Sequence, residues 1–186
     1  MPAHAQTSTA AVVTAGRRLL EEHGTDALTM RDVAAAVGVR PPSLYKRVRS
    51  RADLLRLILE NVTDELTAVT DAAANSGNPT ADLRSLLTAY RDFAHANPVA
   101  YALMNAPQAI PGATARSERS SATLLRLVTE LAGPQHALPA ARTIVAWASG
   151  FITMELAKAF RLGGDLEQAW NFGLNRVLNA IQCAND

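Results

Sequence analysis

The strongest constraint on the fold of this chain is the segment from Leu28 to Leu55, which carries start and stop signals for short helices. Thr29 can cap a helix because its hydroxyl can accept an unpaired backbone N–H, and Asp32 places a carboxylate in the electropositive first turn. Gly38 supplies the left-handed backbone conformation that often ends a helix. A short helix is therefore predicted between Thr29 and Gly38.

A second short helix is predicted directly after this turn. Pro41 and Pro42 are tolerated in the first turn of a helix, where a missing N–H has no helical partner to lose. Leu44 and Val48 are four residues apart and should face the first helix, so the second helix is expected to run through Val48. Two helices joined by a short turn that contains Gly are typical of the helix-turn-helix motif, whose second helix enters the major groove of DNA.

Positive charge is concentrated at the end of this motif. Five basic residues and no acidic residue lie between Arg40 and Arg51, although the formal net charge of the whole chain is only +1. Such a cluster favours binding to phosphates and predicts an affinity that falls steeply with salt. A solvated basic helix end is the alternative, and the surrounding motif favours DNA.

Roles within the motif follow from the position of each side chain. Arg40, Ser43 and Lys46 lie on the outer face of the second helix, where side chains can reach base edges. The other candidates are better placed for phosphates, which position a protein on DNA without reading its sequence. The predicted DNA-binding residues are Thr29, Arg31, Arg40, Pro42, Ser43, Tyr45, Lys46, Arg47 and Arg51.

Two of these residues have a structural alternative. The ring of Tyr45 could brace the two helices against each other, and its hydroxyl could still contact DNA. Arg31 could form a salt bridge with Glu21 or Glu22 instead of contacting a phosphate.

The chain from Thr14 to Glu60 resembles the N-terminal domain of the TetR family of bacterial repressors. The register departs from the family after Tyr45, where members commonly have an aromatic or basic residue, then His, then an aromatic, and this chain has Lys46, Arg47 and Val48. The change retains positive charge, so it bears on site preference more than on DNA binding. The matching residues fall in one gap-free register: Gly24, Leu28, Arg31, Val33, Ala34, Gly38, Val39, Leu44, Tyr45, Leu54 and Leu55.

Composition and resemblance agree on an all-α fold. Ala is abundant and runs of β-branched residues are absent, which favours helices. The resemblance implies an N-terminal three-helix DNA-binding domain with a helix-turn-helix, followed by a larger helical ligand-binding and dimerisation domain. The predicted organisation is a flexible N-terminus over residues 1–9, a DNA-binding domain over 10–55, and an effector-binding and dimerisation domain over 56–186.

The sequence predicts a cytoplasmic protein without membrane contact. It contains no window of about 18 uninterrupted apolar residues, and its N-terminus lacks the basic start and apolar run of a signal peptide. Cys183 is the single cysteine, so it cannot form an internal disulfide.

Caps and breaks mark the later helices. Ser50 and Asp53 are expected to cap a long helix that continues to Asn75, and the residues from Ser76 to Thr80 end it. Further helices are predicted over 81–97, 99–106, 114–131, 139–160 and 165–181, with a loop over 107–113.

The last two predicted helices favour a homodimer. The helix over 139–160 is apolar on two sides, so it must be covered on two sides. The final helix has a long apolar stripe in which Gly173 permits close approach. Two such helices from each subunit would form a four-helix interface, and a twofold axis would present two recognition helices to a palindromic operator on double-stranded DNA. The predicted interface residues are Ala148, Ile152, Leu156, Trp170, Gly173, Leu174, Val177, Leu178 and Ile181.

The resemblance also implies a small-molecule effector, and an apolar or aromatic one fits the candidate lining best. The alternative for aromatic and Met side chains at helical spacing is an ordinary core. The segment from Trp147 to Leu156 resembles a C-terminal subgroup marked by Trp followed by His-Gly, with Ser149 in place of the His. The candidate pocket residues are Tyr90, Phe93, His95, Tyr101, Met104, Asn105, Trp147, Phe151 and Met154.

An enzyme is the rival class, and the sequence argues against it. Its four histidines are scattered and no metal-ligand or phosphate-binding motif occurs, so neither a cofactor nor a metal is predicted. Glu155 is the only acid on its apolar helix, and a hydrogen bond at an interface is favoured over a role as a functional acid. The second alternative is a dimeric helical ligand-binding module without specific DNA binding.

Overall fold

The computed structural model describes residues 8–106 and 121–182. Within these ranges the chain forms nine α-helices and no strand, which confirms the all-α prediction. The predicted loop over 107–113, the start of the predicted helix at 114, most of the predicted flexible N-terminus and Cys183 lie outside the described residues. The helices are α1 Thr9–His23, α2 Met30–Ala36, α3 Pro41–Leu44, α4 Arg51–Ala73, α5 Pro79–Ala96, α6 Pro98–Asn105, α7 Ala122–Ala132, α8 Ala137–Leu156 and α9 Leu166–Gln182.

The helices group into two compact units. Within the described residues, the first unit contains 8–65 and 97–106, and the second contains 66–96 and 121–182. The first unit therefore holds α1 to α3, the beginning of α4, and α6, which packs on α1. The predicted C-terminal domain over 56–186 includes α6, and nothing local in the sequence of α6 indicates its contact with α1.

The core of the first unit forms where α1, the two short helices and α4 bury their apolar stripes. Gly16 of α1 allows close approach, since a Cβ at this position would lie 3.1–3.3 Å from methyl groups of Ile58 and Leu54. The side chains that are almost fully buried here are Val12, Leu20, Leu28, Val33, Leu44, Val48, Leu54 and Ile58.

In the second unit α5 supplies a central stripe. Leu83, Leu86, Leu87, Phe93 and Ala94 are buried, as their spacing predicts for an amphipathic helix. This stripe packs on α7 and α8, and α9 packs on all three of these helices.

Two helices end four residues earlier than the sequence predicts. The helix predicted to run through Val48 ends at Leu44. The N–H groups of Arg47 and Val48 both donate to the Leu44 carbonyl. The helix predicted to reach Phe160 ends at Leu156, because Lys158 adopts a positive φ of 52° and the N–H of Ala159 closes the end on the Met154 carbonyl. Neither change is signalled by a Gly or Pro at the break.

Among the described residues, no helix is both long and apolar enough to span a bilayer.

Candidate DNA-binding surface and C-terminal side-chain network

The local signals that define the two short helices are present in the structure. The Thr29 hydroxyl accepts the Asp32 N–H at 3.2 Å and donates to the Asp32 carboxylate at 2.5 Å, which confirms Thr29 as the cap of α2. Gly38 has a φ of 71°, and the following N–H of Val39 bonds to the Ala34 carbonyl at 2.9 Å. This closure turns the chain sharply into α3.

Most of the predicted DNA-binding residues are exposed, whereas the core residues of the same segment are buried. Leu44 and Val48 are buried, whereas the side chains between them face outward and Tyr45 is 50% exposed. The side chains of Arg40, Lys46 and Arg47 make no hydrogen bond or ion pair with any described residue. The exposed members of the predicted set are Thr29, Arg31, Arg40, Pro42, Ser43, Tyr45, Lys46 and Arg47.

The salt bridge considered as an alternative role for Arg31 is not formed among the described residues. Glu21 accepts the backbone N–H groups of Val99 and Ala100, and Glu22 pairs with Arg18 in the preceding turn of α1. Arg31 itself is exposed, and no ion pair joins it to either glutamate in the described part of the chain.

Arg51, the ninth predicted DNA-binding residue, is bound inside its own domain. Its Nε donates to the Leu28 carbonyl at 2.9 Å and its Nη2 donates to the Thr25 carbonyl at 2.5 Å. Arg51 opens α4, whereas Thr25 and Leu28 lie on the loop between α1 and α2.

Side chains of α1 hold the N-terminus of α6. The Glu21 carboxylate accepts the N–H of Ala100 at 2.8 Å and that of Val99 at 3.1 Å, so it satisfies two donors that a helix leaves unpaired. Asn97 makes no side-chain cap, because its Oδ1 accepts Arg17 Nη2 at 2.6 Å. Arg17 also pairs with Glu65 of α4.

In the second unit, a charged network surrounds Arg91 of α5. Its Nε and Nη2 donate to the two carboxylate oxygens of Glu155 at 3.0 and 2.7 Å, and its Nη1 donates to Glu167 at 2.6 Å. His95, one turn further along α5, lies 2.9 Å from Glu155 through Nε2. Arg91 therefore links α5 to α8 and to α9.

Burial and pairing set the protonation of this network. The hydrogen bonds from Arg91 hold the pKa of Glu155 below its ordinary value, and His95 lowers it further while burial opposes both. The same pairing with Glu155 raises the pKa of Arg91 above its ordinary value. Both groups are therefore charged at neutral pH, and Glu155 is a structural ion-pair partner within the chain.

Four aromatic rings pack beside this network. Trp147 stacks on Trp170 with centroids 4.8 Å apart, and Phe151 lies 4.9 Å from Phe160 and 5.3 Å from Trp170. The Arg91 guanidinium lies 5.0 Å from the centroid of the Trp170 ring. Cation–π attraction therefore joins the aromatic cluster to the charged one.

The structure brings together part of the predicted effector pocket. Trp147 and Phe151 belong to the aromatic cluster, and the Tyr90 hydroxyl lies 3.1 Å from the Ser149 hydroxyl. His95 belongs to the charged network. Phe93 is buried, whereas Met154 is 44% exposed.

Three further pocket candidates lie on α6, in the first unit. Tyr101 is buried, Met104 is half-buried, and the Asn105 amide donates to the carbonyl of Tyr101 at 3.0 Å. Whether any of these nine residues contacts an effector stays a prediction.

The predicted dimer interface needs a correction. Ala148, Ile152, Trp170, Leu174 and Leu178 are at most 1% exposed within the single chain, so their side chains have no surface left for a partner. Ile181 is also buried, and Leu156, Gly173 and Val177 are half-buried. The close approach predicted at Gly173 is made within the chain, since a Cβ there would lie 2.5 Å from Cζ2 of Trp147. The buried part of the predicted stripe is therefore intramolecular core, whereas a partner contact at Leu156, Gly173 or Val177 stays a prediction.

Sequence reasoning missed the residues that organise these contacts. Arg17, Glu21 and Arg91 are charged residues on amphipathic helices, and the partners of each lie at least 44 residues away in the chain. The one available signal is the isolated Glu155 on an apolar helix, which favours a hydrogen bond at an interface, whereas its partner Arg91 lies in the same chain.

The described residues contain no cluster of His, Cys, Asp or Glu that could hold a metal ion.

A helix-turn-helix with an outward basic surface, followed by a helical unit with buried aromatic and charged clusters, defines the class of helical DNA-binding regulators. Family comparisons make this class specific. A model described as bacterial regulatory proteins, tetR family, matches residues 12–58, and one described as the tetracyclin repressor-like C-terminal domain matches residues 83–177, about half of the chain. The chain belongs to the TetR family of transcriptional regulators.

Individual relatives agree with this assignment. A helix-turn-helix-type transcriptional regulator of Mycobacterium bovis is 30% identical over 64% of this chain and 52% of its own length, so the chain matches about half of that relative. An uncharacterized helix-turn-helix-type regulator of Bacillus subtilis, YobS, is 26% identical over 94% of this chain and 92% of that protein. A structure of a Rhodococcus protein of unknown function has a TM-score of 0.82 and 26% identity, and the alignment covers 97% of this chain and 98% of that one.

Proposed function

We propose that this protein is a homodimeric repressor that binds a palindromic operator and is released from it by a small apolar or aromatic effector. The observation that carries the proposal is the surface of α3 and the turn after it. Arg40, Lys46 and Arg47 are exposed there without partners among the described residues, whereas Leu44 and Val48 anchor the same segment in the core. Unpaired basic side chains on a rigid, outward surface are suited to DNA phosphates and base edges.

The proposed DNA contacts follow from this surface. Arg40, Ser43 and Lys46 would read base edges, and Arg31, Tyr45 and Arg47 would contact phosphates. The Thr29 hydroxyl donates to the Asp32 carboxylate, so Thr29 would contact a phosphate through its backbone N–H. Pro42 would lie close to the DNA without donating a hydrogen bond, because proline has no N–H. A DNA-bound dimer represses by occupying the promoter.

The proposed dimer surface is the outer face of the last two helices, in place of the residues that form the core. Leu138 and Val145 of α8 are 52% and 43% exposed, and Phe172 of α9 is 63% exposed. Covering such side chains with a partner is favourable because it removes apolar surface from water. A second copy of the same face would bury them and supply the twofold axis that a palindrome requires.

The proposed effector site involves the C-terminal aromatic side chains. Trp147 and Phe151 offer ring faces, and the paired hydroxyls of Tyr90 and Ser149 could orient a polar group of the ligand. Ser149 stands where the resembling subgroup has His, so the polar partner offered here is a hydroxyl. Aromatic compounds that lower operator affinity would support this site, whereas operator affinity unchanged by any of them would count against it.

Binding to DNA from directly upstream of the gene, compared with an unrelated fragment, tests the DNA-binding proposal. We expect preferential binding that weakens steeply as salt rises, and a loss of binding in Arg47→Ala while its circular dichroism spectrum stays that of the wild type. Arg161→Ala is the matched control, because it removes the same charge from an exposed position of the second unit. Binding to neither fragment at low salt would favour a ligand-binding module without DNA binding. Equal binding of Arg47→Ala and wild type would contradict the role of Arg47.

A further inference from the structure

Arg51 occupies a position that connects three parts of the helix-turn-helix domain. It is the first residue of α4, and its guanidinium donates to the carbonyls of Thr25 and Leu28. Leu28 is buried and directly precedes Thr29, the cap of α2. The side chain of Arg51 therefore fixes the backbone immediately before α2 begins.

The backbone on the other side of Arg51 is also fixed. The Ser50 hydroxyl accepts the Asp53 N–H at 3.1 Å, and the Asp53 carboxylate accepts the Arg49 N–H at 2.9 Å. This reciprocal capping holds the connection from α3 into α4. Val48 anchors the same connection because it is completely buried. The first turn of α4 is thus tied to the end of α3 through the backbone and to the start of α2 through Arg51.

The geometry points to Arg51 as a positioning residue for operator recognition and not as a phosphate contact. Its planar guanidinium directs two N–H groups at two carbonyls three residues apart, which a lysine with one flexible ammonium cannot reproduce. The neighbouring basic residues Arg47 and Arg49 make no such side-chain contact with a described residue. This inference rests on the proposed DNA-binding function. Arg51 would keep the start of α2 in a fixed position relative to α3, whose connection to α4 is anchored by the buried Val48.

The dependence of DNA affinity on salt separates the two roles. Each phosphate contact contributes about 0.9 to the slope of log K against log salt concentration. Arg47→Met removes a proposed phosphate contact and should lower that slope by about 0.9. Arg51→Met removes the same charge but should leave the slope unchanged, while operator affinity falls about tenfold because the outer face is no longer held in place.

Arg51→Lys provides the second comparison, since it keeps the charge and loses the two-point geometry. We expect it to lose about as much operator affinity as Arg51→Met, and both variants to lose more affinity for the operator than for an unrelated duplex. The probe is a duplex selected by the wild-type protein from a pool of random sequences. Thermal unfolding of each variant is followed separately, and binding is measured well below the lowest melting temperature.

The possible outcomes are distinguishable. A lower salt slope in Arg51→Met, restored by Arg51→Lys, would show that Arg51 is a phosphate contact and overturn the inference. Reduced melting temperature with unchanged operator affinity would show a role in stability alone and overturn it as well. Failure of the wild-type protein to select any duplex would instead remove the proposed DNA-binding function, and the positioning role with it.

Discussion

One guanidinium, that of Arg91, organises the polar interior of the second unit. Its side chain is 11% exposed and pairs with Glu155, which is 9% exposed, so both charges are largely removed from water. Charges in such an environment are tolerated when hydrogen bonds satisfy them, and removing one partner leaves an uncompensated charge. The network is therefore expected to matter more for stability than the surface ion pairs of the same chain.

Substitution of Glu155 by Gln tests this expectation. We expect Glu155→Gln to lower the free energy of unfolding by about 2 kcal/mol, because Arg91 loses a charged, two-oxygen acceptor. Glu130→Gln is the control, since Glu130 pairs with Arg126 on the exposed face of α7 and should cost less than about 0.5 kcal/mol. Urea unfolding monitored by circular dichroism measures both. Equal effects of the two substitutions would contradict a special role for the buried pair.

The same pair predicts a pH dependence. A carboxyl whose pKa is lower in the folded state stabilises the fold above its unfolded pKa, and this contribution is lost as pH falls through the folded value. The pKa of Glu155 lies below the ordinary value of 4.5 because of Arg91. The stability difference between wild type and Glu155→Gln should therefore shrink as the pH is lowered below about 5. If the difference in free energy of unfolding between the two proteins grew on acidification, the pKa of Glu155 would not be lowered in the folded state.

At the scale of elements, the N-terminus of α6 is capped by a side chain of another helix. Pro98 has no N–H, so Val99 and Ala100 present the first unpaired donors, and Glu21 of α1 accepts both. A carboxylate at this end also interacts favourably with the helix dipole. This contact explains why α6 belongs with the N-terminal helices.

Substitution of Glu21 should reveal this cap. We expect Glu21→Ala to lower the free energy of unfolding by about 1–2 kcal/mol, because two helix donors lose their acceptor. The adjacent Glu22→Ala removes an exposed pair with Arg18 and should cost less than about 0.5 kcal/mol. Guanidinium unfolding of both variants gives the comparison. A cost for Glu22→Ala as large as that for Glu21→Ala would argue against the cap.

The sequence predicted elements whose signals are local and missed contacts that depend on the fold. Thr29, Gly38 and Ser50 mark helix ends through bonds to residues at most five positions away, and these ends lie where expected. The stripe of α9 was also recognised, but periodicity shows that a face is buried without showing what covers it. Periodicity therefore places Trp170 and Leu174 at a partner subunit, whereas α9 buries them within its own chain. The cap from Glu21 and the pairing of Arg91 depend on partners distant in sequence, which no local pattern encodes.

At the scale of the whole molecule, the proposed homodimer requires a surface that carries its twofold axis. Most of the buried stripe is used internally, so the proposed self-association would use side chains that the single chain leaves exposed. Phe172, with Arg176 lying 5.2 Å from its ring centroid, offers a large amphipathic contact on α9, and Val145 offers an apolar one on α8. Aromatic and Arg side chains are enriched among the residues that dominate interface energies.

The combined substitution Val145→Asp with Phe172→Asp should weaken self-association by at least about a hundredfold, because two charges would be buried in the contact. Leu125→Asp is the control, since Leu125 is an apolar residue of similar exposure, 41%, on α7. Sedimentation over a range of concentrations measures the association. The double variant should still bind a single half-site as the wild type does, because its basic surface is unchanged, but lose the added affinity of a palindrome. If the Leu125→Asp dimer dissociated and the dimer of the double variant did not, the dimer surface would lie on α7 and not on α8 and α9.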